Sequence, residues 1–62
     1  MKLYAKGKHI EIIKVHKKLV NGKHLITVMV GLDGEYVVTY PNNPKLYLTN
    51  QEKARELWAK AQ

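Results

Sequence analysis

The fold of this chain is decided by residues 8–40, which read KHIEIIKVHKKLVNGKHLITVMVGLDGEYVVTY. Apolar side chains recur there with period two, and most of them are β-branched or aromatic, as is typical of strands. Two turn signals interrupt the stretch. Asn21-Gly22 suits a type I′ hairpin turn, because both central residues need positive φ, and Leu32-Asp33-Gly34 suits a three-residue loop that ends in glycine. The stretch therefore predicts three consecutive antiparallel strands.

The Asn21-Gly22 turn sets the expected register of the first hairpin. A two-residue loop places Val15 opposite Val28 and Ile13 opposite Val30, on a face that is otherwise apolar. The opposite face then carries these residues: Lys14, His16, Lys18, Lys23, Thr27, Leu25 and Met29. The adjacent Ile12 and Ile13 break the alternation, which predicts a β-bulge that would turn Ile10 and Ile12 to the core and His9 to the basic face.

The second loop decides where the next strand points. A three-residue loop places Tyr36, Val38 and Tyr40 on the apolar face, and we favour it because it completes that face. A two-residue Asp33-Gly34 turn would instead place the tyrosines among the lysines, where they could stack on single-stranded bases.

The two ends of the chain complete the expected fold. Residues 1–5 predict a first strand that turns at Lys6-Gly7, and residues 41–48, with two prolines and two asparagines, predict a turn and linker. Thr49 and Glu52 form a capping box for a helix from Asn50 to about residue 61. Its apolar stripe, which includes Trp58 as a core anchor, would cover the apolar face of the sheet. The stripe consists of Ala54, Leu57, Trp58 and Ala61.

These elements predict one small α+β domain over residues 1–62, in which an antiparallel meander of three or four strands carries one C-terminal helix packed on one face. A chain of 62 residues has room for one domain at most. The expected core consists of Ile13, Val15, Ile26, Val28, Val30, Tyr36, Val38, Tyr40, Leu57 and Trp58.

The composition argues against an enzyme, a metal centre and a cofactor. The chain contains neither Cys nor Ser, so cysteine and serine nucleophiles and cysteine-ligated zinc are excluded. Its five acidic residues are scattered, the histidines are seven and eight residues apart, and no glycine-rich phosphate loop is present. No apolar run of the length that a signal peptide needs follows the N-terminal lysines, and the longest mostly apolar stretch, Leu25 to Leu32, is too short to span a membrane. We therefore expect a cytoplasmic protein without a membrane partner.

The distribution of charge favours a polyanionic partner. The formal net charge is +6, and residues 1–24 supply all of it, with seven lysines against Glu11 alone. We therefore expect a non-enzymatic protein that binds nucleic acid, with DNA favoured over RNA, through phosphate contacts and with weak sequence preference. The expected contacts lie on the open face of the sheet: Lys14, His16, Lys18, Lys23 and His9. In size, charge and outline the layout resembles small archaeal chromatin proteins and the sheet-plus-helix DNA-binding domains of some phage integrases, although no motif links the chain to either group.

A protein partner is the alternative. In the expected register Leu25, Met29 and Val37 form an apolar strip bordered by lysines, which could dock on an acidic and apolar partner surface as an interaction or inhibitor module. An edge strand could serve the same purpose, or could pair two copies into a homodimer that stabilises so small a core. Binding to nucleic acid should weaken steeply with salt, whereas docking on an apolar strip should not.

Overall fold

The computed structural model describes the whole chain, Met1–Gln62, as one curled antiparallel sheet with a single helix. The elements are β1 (Lys2–Ala5), β2 (Lys8–Val20), β3 (Lys23–Gly31), β4 (Tyr36–Tyr40), β5 (Asn43–Thr49) and α1 (Gln51–Lys60). The strands lie side by side in chain order, and the curl brings β1 into contact with β5. The prediction of an α+β meander with a C-terminal helix is confirmed, but the sheet has five strands instead of three or four.

The turns follow the glycine signals. Asn21 and Gly22 have φ of 53° and 76°, and Lys6 and Gly7 have 51° and 74°, as a type I′ turn requires. Gly34 lies in the loop between β3 and β4 and has a φ of 88°. A turn at Lys6-Gly7 predicts that Leu3 pairs with Ile10, and the structure has this pair. The three-residue loop predicts that Tyr36 pairs with Val30 and Val38 with Val28, and both pairs are present.

The segment expected to be a linker forms β5 instead. The linker prediction rests on two prolines and two asparagines, and proline has no N–H for a sheet ladder. In the structure Pro44 lies in an irregular part of the outermost strand, between the Tyr40–Asn43 pair and the Val38–Tyr47 pair. The missing N–H is tolerated there, because an edge strand with a bulge leaves such positions unpaired.

The helix begins one residue later than the capping box predicts. Asn50 is the N-cap, and its side-chain oxygen accepts a 2.8 Å hydrogen bond from the amide of Lys53. Thr49, the expected cap, instead pairs with Tyr36 as the last residue of β5. Asparagine caps a helix as well as serine and somewhat better than threonine, which agrees with Asn50 taking this position.

Two cores lie on opposite sides of the sheet. On one side α1 covers a core of Ile26, Val28, Val38 and Ala54, with Tyr36, Tyr40, Leu57, Trp58 and Ala61 packed against it. On the other side the curl encloses a second core of Ala5, Ile10, Ile12, Met29 and Val37, with Leu3, Leu46 and Leu48 around it. β3 and β4 therefore bury residues on both of their faces, and the expectation of one apolar and one solvated face is wrong.

The second core reverses several expectations. Met29 and Val37, expected on an exposed apolar strip, are 6% and 0% exposed. Ile13 and Val15, expected in the core, are 53% and 46% exposed. The apolar strip proposed as a docking surface for a partner is therefore not available at Met29 and Val37.

Two irregularities in the pairing of β2 with β3 explain the reversal. Ile12 pairs with Gly31 and Leu19 with His24, as the simple register predicts. Between them Ile13 is an extra residue on β2 and Leu25 is an extra residue on β3, so that residues 14–18 are shifted by one position. Because strand side chains alternate, a shift of one residue turns every side chain in that segment to the other face.

Glu35 connects the loop between β3 and β4 to the first residue of β2. Its side chain is only 12% exposed and accepts a 3.0 Å salt bridge from Lys8 and a 3.2 Å hydrogen bond from the amide of Asp33. The pKa of Glu35 is lowered from its ordinary value of 4.5, chiefly by the hydrogen bond from Lys8 and then by its own backbone amide. Gly31 makes room for this carboxylate, since a Cβ at that position would lie 2.5 Å from Oε1 of Glu35 and 2.8 Å from a methyl of Ile10.

We expect Glu35 to make the fold sensitive to acid. A carboxyl whose pKa is lower in the folded than in the unfolded chain stabilises the fold above its unfolded pKa, and that contribution is lost as pH falls through the folded value. The melting temperature of Glu35→Gln should therefore fall less than that of the unaltered chain between about pH 6 and pH 3. Glu52→Gln, on the exposed side of α1, is the control. Equal acid sensitivity of all three proteins would contradict the prediction.

Candidate nucleic-acid interface

The expected basic residues of β2 do share one face, but that face is the one covered by the helix. Lys14, His16 and Lys18 pair with Val30, Val28 and Ile26 respectively. Ile26 and Val28 belong to the core beneath α1. The prediction that the helix and these side chains lie on opposite sides of the sheet is therefore wrong, because the shifted register turns residues 14–18 over.

The other two expected contacts lie at the ends of β2. Lys23 pairs with Val20 beside the Asn21-Gly22 turn, and strand alternation places it on the same side of the sheet as Lys18. His9 lies near the opposite end of the strand, on the far side of the bulge at Ile13, where its ring packs edge-on against Tyr4 with centroids 4.8 Å apart. The structure thus brings Lys14, His16, Lys18 and Lys23 together in one row, which we call the basic row. His9 lies apart from it.

Lys18 connects this row to the helix. Its Nζ donates a 2.8 Å hydrogen bond to the backbone oxygen of Trp58 and lies 5.9 Å from the centre of the indole ring. A cation near the last turn of a helix is favourable, because the unpaired carbonyls there carry partial negative charge. Lys18 therefore stabilises the docking of α1 and holds positive charge beside an aromatic ring.

A groove runs between the part of the basic row that lies on β2 and the first turns of α1. Its volume is about 320 Å³, and its lining consists of His16, Val28, Tyr36, Gln51, Ala54, Arg55 and Trp58. The lining combines two aromatic rings, a guanidinium, an imidazole and an amide, and it includes no carboxylate. Such a surface is suited chemically to a planar ring that carries negative charge.

The basic row belongs to a part of the hairpin that has no acidic residue. We call residues 12–31 the basic arm; it contains Lys14, Lys17, Lys18 and Lys23 and neither Asp nor Glu. None of these lysines forms a salt bridge. The salt bridges of the molecule lie elsewhere, and they join Glu11 to the N-terminus, Glu35 to Lys8, and Glu56 to Lys53 and Lys60. The positive potential of the arm is consequently not neutralised within the chain.

The basic arm also has a free edge. β1 pairs only with the part of β2 from Lys8 to Glu11, so the rest of β2 has a neighbour on one side alone. Ile13, Val15, Leu19 and Val20 are exposed along this edge, by 45–60%. Lysines between them disfavour pairing of this edge with a second copy of the same chain.

Sequence reasoning missed the aromatic part of the groove. The sequence predicts Trp58 as a core anchor, and it predicts Tyr36 in the core with the three-residue loop or among the lysines with the two-residue turn. In the structure both rings are partly buried under the helix, and both also line the groove beside His16. The adjacent apolar residues Leu25 and Ile26, which break the alternation as Ile12 and Ile13 do, were the available signal for the second bulge.

Comparison with protein-family models, curated proteins and solved structures finds no match to this chain. No group of three or more His, Cys, Asp or Glu side chains lies close enough together to hold a metal ion. The helix of the structure is too short and too polar to cross a membrane. What can be inferred about function therefore depends on the basic arm and the groove.

Proposed function

We propose that this chain is a non-enzymatic, cytoplasmic nucleic-acid-binding protein that contacts phosphates through the basic arm. Lys14 and Lys23 supply exposed, unpaired charges, and Lys18 adds a charge held beside Trp58. His16 lies in the same row and lines the groove beside Trp58. The single observation that carries the proposal is that this arm has four lysines and no carboxylate to neutralise them.

Contacts of this kind favour affinity over sequence preference. Lysine binds phosphate as a point charge and releases counterions, which strengthens binding to any sequence. Bidentate reading of a base needs Arg, Asn or Gln side chains directed at a base edge. The groove beside the arm offers only one Arg and one Gln, both on α1, and the arm itself has a single Asn, in its turn. We therefore propose weak sequence preference, with DNA as the first partner to test.

The salt dependence of binding tests this proposal. If Lys14, Lys18, Lys23 and Arg55 neutralise one phosphate each, log K should fall against log salt with a slope of about −3 for single strands and about −4 for duplex. Fluorescence anisotropy with labelled DNA and RNA between ~50 and ~300 mM salt measures the slope. Absence of binding at the lowest salt, or binding that salt leaves unchanged, contradicts the proposal.

An acidic protein partner is a second candidate, favoured by the free edge of β2. An extended segment could add a strand beside residues 13–20, with apolar contacts to Val15 and Leu19 and acidic side chains near Lys14 and Lys18. A homodimer through the same edge is the less favoured version, because two copies would bring their lysines side by side. Either form of edge pairing would persist at salt concentrations that release nucleic acid.

A further inference from the structure

The groove between β2 and α1 has the size of a site for one small planar group. Its volume of about 320 Å³ lies at the lower end of the range for small-molecule sites. Tyr36 from β4 and Trp58 from α1 both contribute aromatic surface to it, and neither ring is fully buried. A nucleobase is flat, apolar on its faces and of suitable size to lie against such rings.

The charges around the groove match a phosphate attached to that base. His16 stands on the β2 side and Arg55 on the α1 side, and Lys18 holds its ammonium 5.9 Å from the Trp58 ring. No acidic side chain lines the groove. The guanidinium of Arg55 forms no salt bridge within the chain, and its planar fork is suited to phosphate oxygens.

We propose that this groove binds one nucleotide of a single-stranded nucleic acid, with the base against Tyr36 and Trp58 and its phosphates near Arg55 and Lys18. This proposal rests on the proposed function and specifies its ligand. Duplex DNA keeps its bases stacked inside the helix, and extruding one of them costs free energy. The protein should therefore bind single strands more tightly than duplex, although the duplex has the higher charge density.

Trp58 allows a direct test, because it is the only tryptophan of the chain. We would titrate the full chain with single-stranded oligothymidine of roughly twelve nucleotides, with its duplex, and with inorganic polyphosphate, which carries charge without bases. The single strand should quench Trp58 fluorescence and bind about ten-fold more tightly than the duplex. Polyphosphate should bind without comparable quenching.

The three ligands separate the two proposals. If single strand, duplex and polyphosphate all bind with equal affinity and equal effect on Trp58, the groove proposal is wrong and the phosphate-binding function stands. If none of them binds at low salt, both proposals are wrong. Binding of a single strand with no change in Trp58 fluorescence also overturns the groove proposal.

A matched pair of variants locates the site. His16→Glu and Lys45→Gln each lower the formal charge by one, and both positions are exposed, so neither should disturb the fold. His16 lines the groove, whereas Lys45 lies on β5, outside both the groove and the basic arm. His16→Glu should abolish the ten-fold preference for single strands, and Lys45→Gln should retain both the preference and the quenching. Equal behaviour of the two variants would contradict the assignment.

Discussion

Replacing Val37 with aspartate should leave the chain unfolded at 25 °C, whereas the same replacement at Val15 should leave it folded. The two valines occupy one row of the sheet, since Met29 pairs with Val15 on one side and with Val37 on the other. Val37 is 0% exposed and lies in the core enclosed by the curl of the sheet, whereas Val15 is 46% exposed at the free edge. The pair therefore compares one substitution in two surroundings.

The expected loss exceeds what a small domain can tolerate. Domains have a free energy of unfolding of roughly 0.05–0.15 kcal/mol per residue, which gives about 3–9 kcal/mol here. Removing a buried valine side chain costs about 1.5–3 kcal/mol, and placing an unpaired carboxyl in its position costs several kcal/mol more. At Val15 the carboxylate stays in water among lysines, and the change should remain within about 1 kcal/mol.

Circular dichroism and thermal unfolding of both variants measure this difference. The far-ultraviolet spectrum of Val37→Asp should show loss of the sheet, and Val15→Asp should melt cooperatively within a few degrees of the unaltered chain. The opposite result, in which Val15→Asp unfolds and Val37→Asp folds, is what the simple hairpin register would require. That outcome would show that residues 14–18 are not shifted and that Val15 lies in the core.

Local signals in the sequence predicted the turns and most of the pairing. Asn21-Gly22 gives a type I′ turn because asparagine and glycine adopt positive φ at low cost. At Lys6-Gly7 only the glycine has this advantage, and Lys6 adopts a φ of 51° that is uncommon for its residue type. The doublet Ile12-Ile13 predicted a bulge, and the structure has one there. The helix could be located from its cap residues and its apolar stripe, because both are encoded within a single turn or face.

The faces of β2 could not be predicted in the same way, because they depend on a long-range feature. Pattern reasoning assumed that one side of the sheet faces solvent, so that Val37 and Val38 could not both be buried. Both are 0% exposed, since the curl of the sheet covers one side and α1 covers the other. When both faces of the sheet are buried, the alternation of apolar residues no longer identifies the face that lies beneath the helix. The bulge at Leu25 then determines which side chains of β2 point to that face.

Only part of the candidate site could be predicted, because only part of it depends on the local sequence pattern. The strand period is local, and it places Lys14, His16 and Lys18 on one face of β2. Thr27, which was expected on the same face, instead pairs with Lys17 on the other face. Their position beside α1 depends on the register of residues 14–18, which the two bulges set. The contribution of Tyr36 and Trp58 could be recognised only after that position was known.

The double variant Lys14→Glu/Lys23→Glu should weaken binding to nucleic acid about 100-fold at ~50 mM salt and reduce the salt slope by about two. Each substitution replaces a lysine that contacts phosphate with a glutamate, whose negative charge repels phosphate. Both the release of counterions and the attraction between protein and nucleic acid are therefore lost. Lys14 and Lys23 are exposed and form no hydrogen bond or salt bridge through their side chains, so the fold should be retained. Lys18 is left unaltered because its ammonium holds the backbone oxygen of Trp58.

A charge-matched control separates local contact from net charge. Lys6→Glu/Lys45→Glu lowers the formal charge from +6 to +2, as the test variant does, but Lys6 lies in the turn at the opposite end of β2 and Lys45 lies on β5. Because exposed charges beyond about 10 Å are screened at moderate salt, the control should lose less than about five-fold in affinity. Equal losses in the two variants would mean that nucleic acid responds to overall charge alone. Binding would then be diffuse, and the basic arm would have no special role in it.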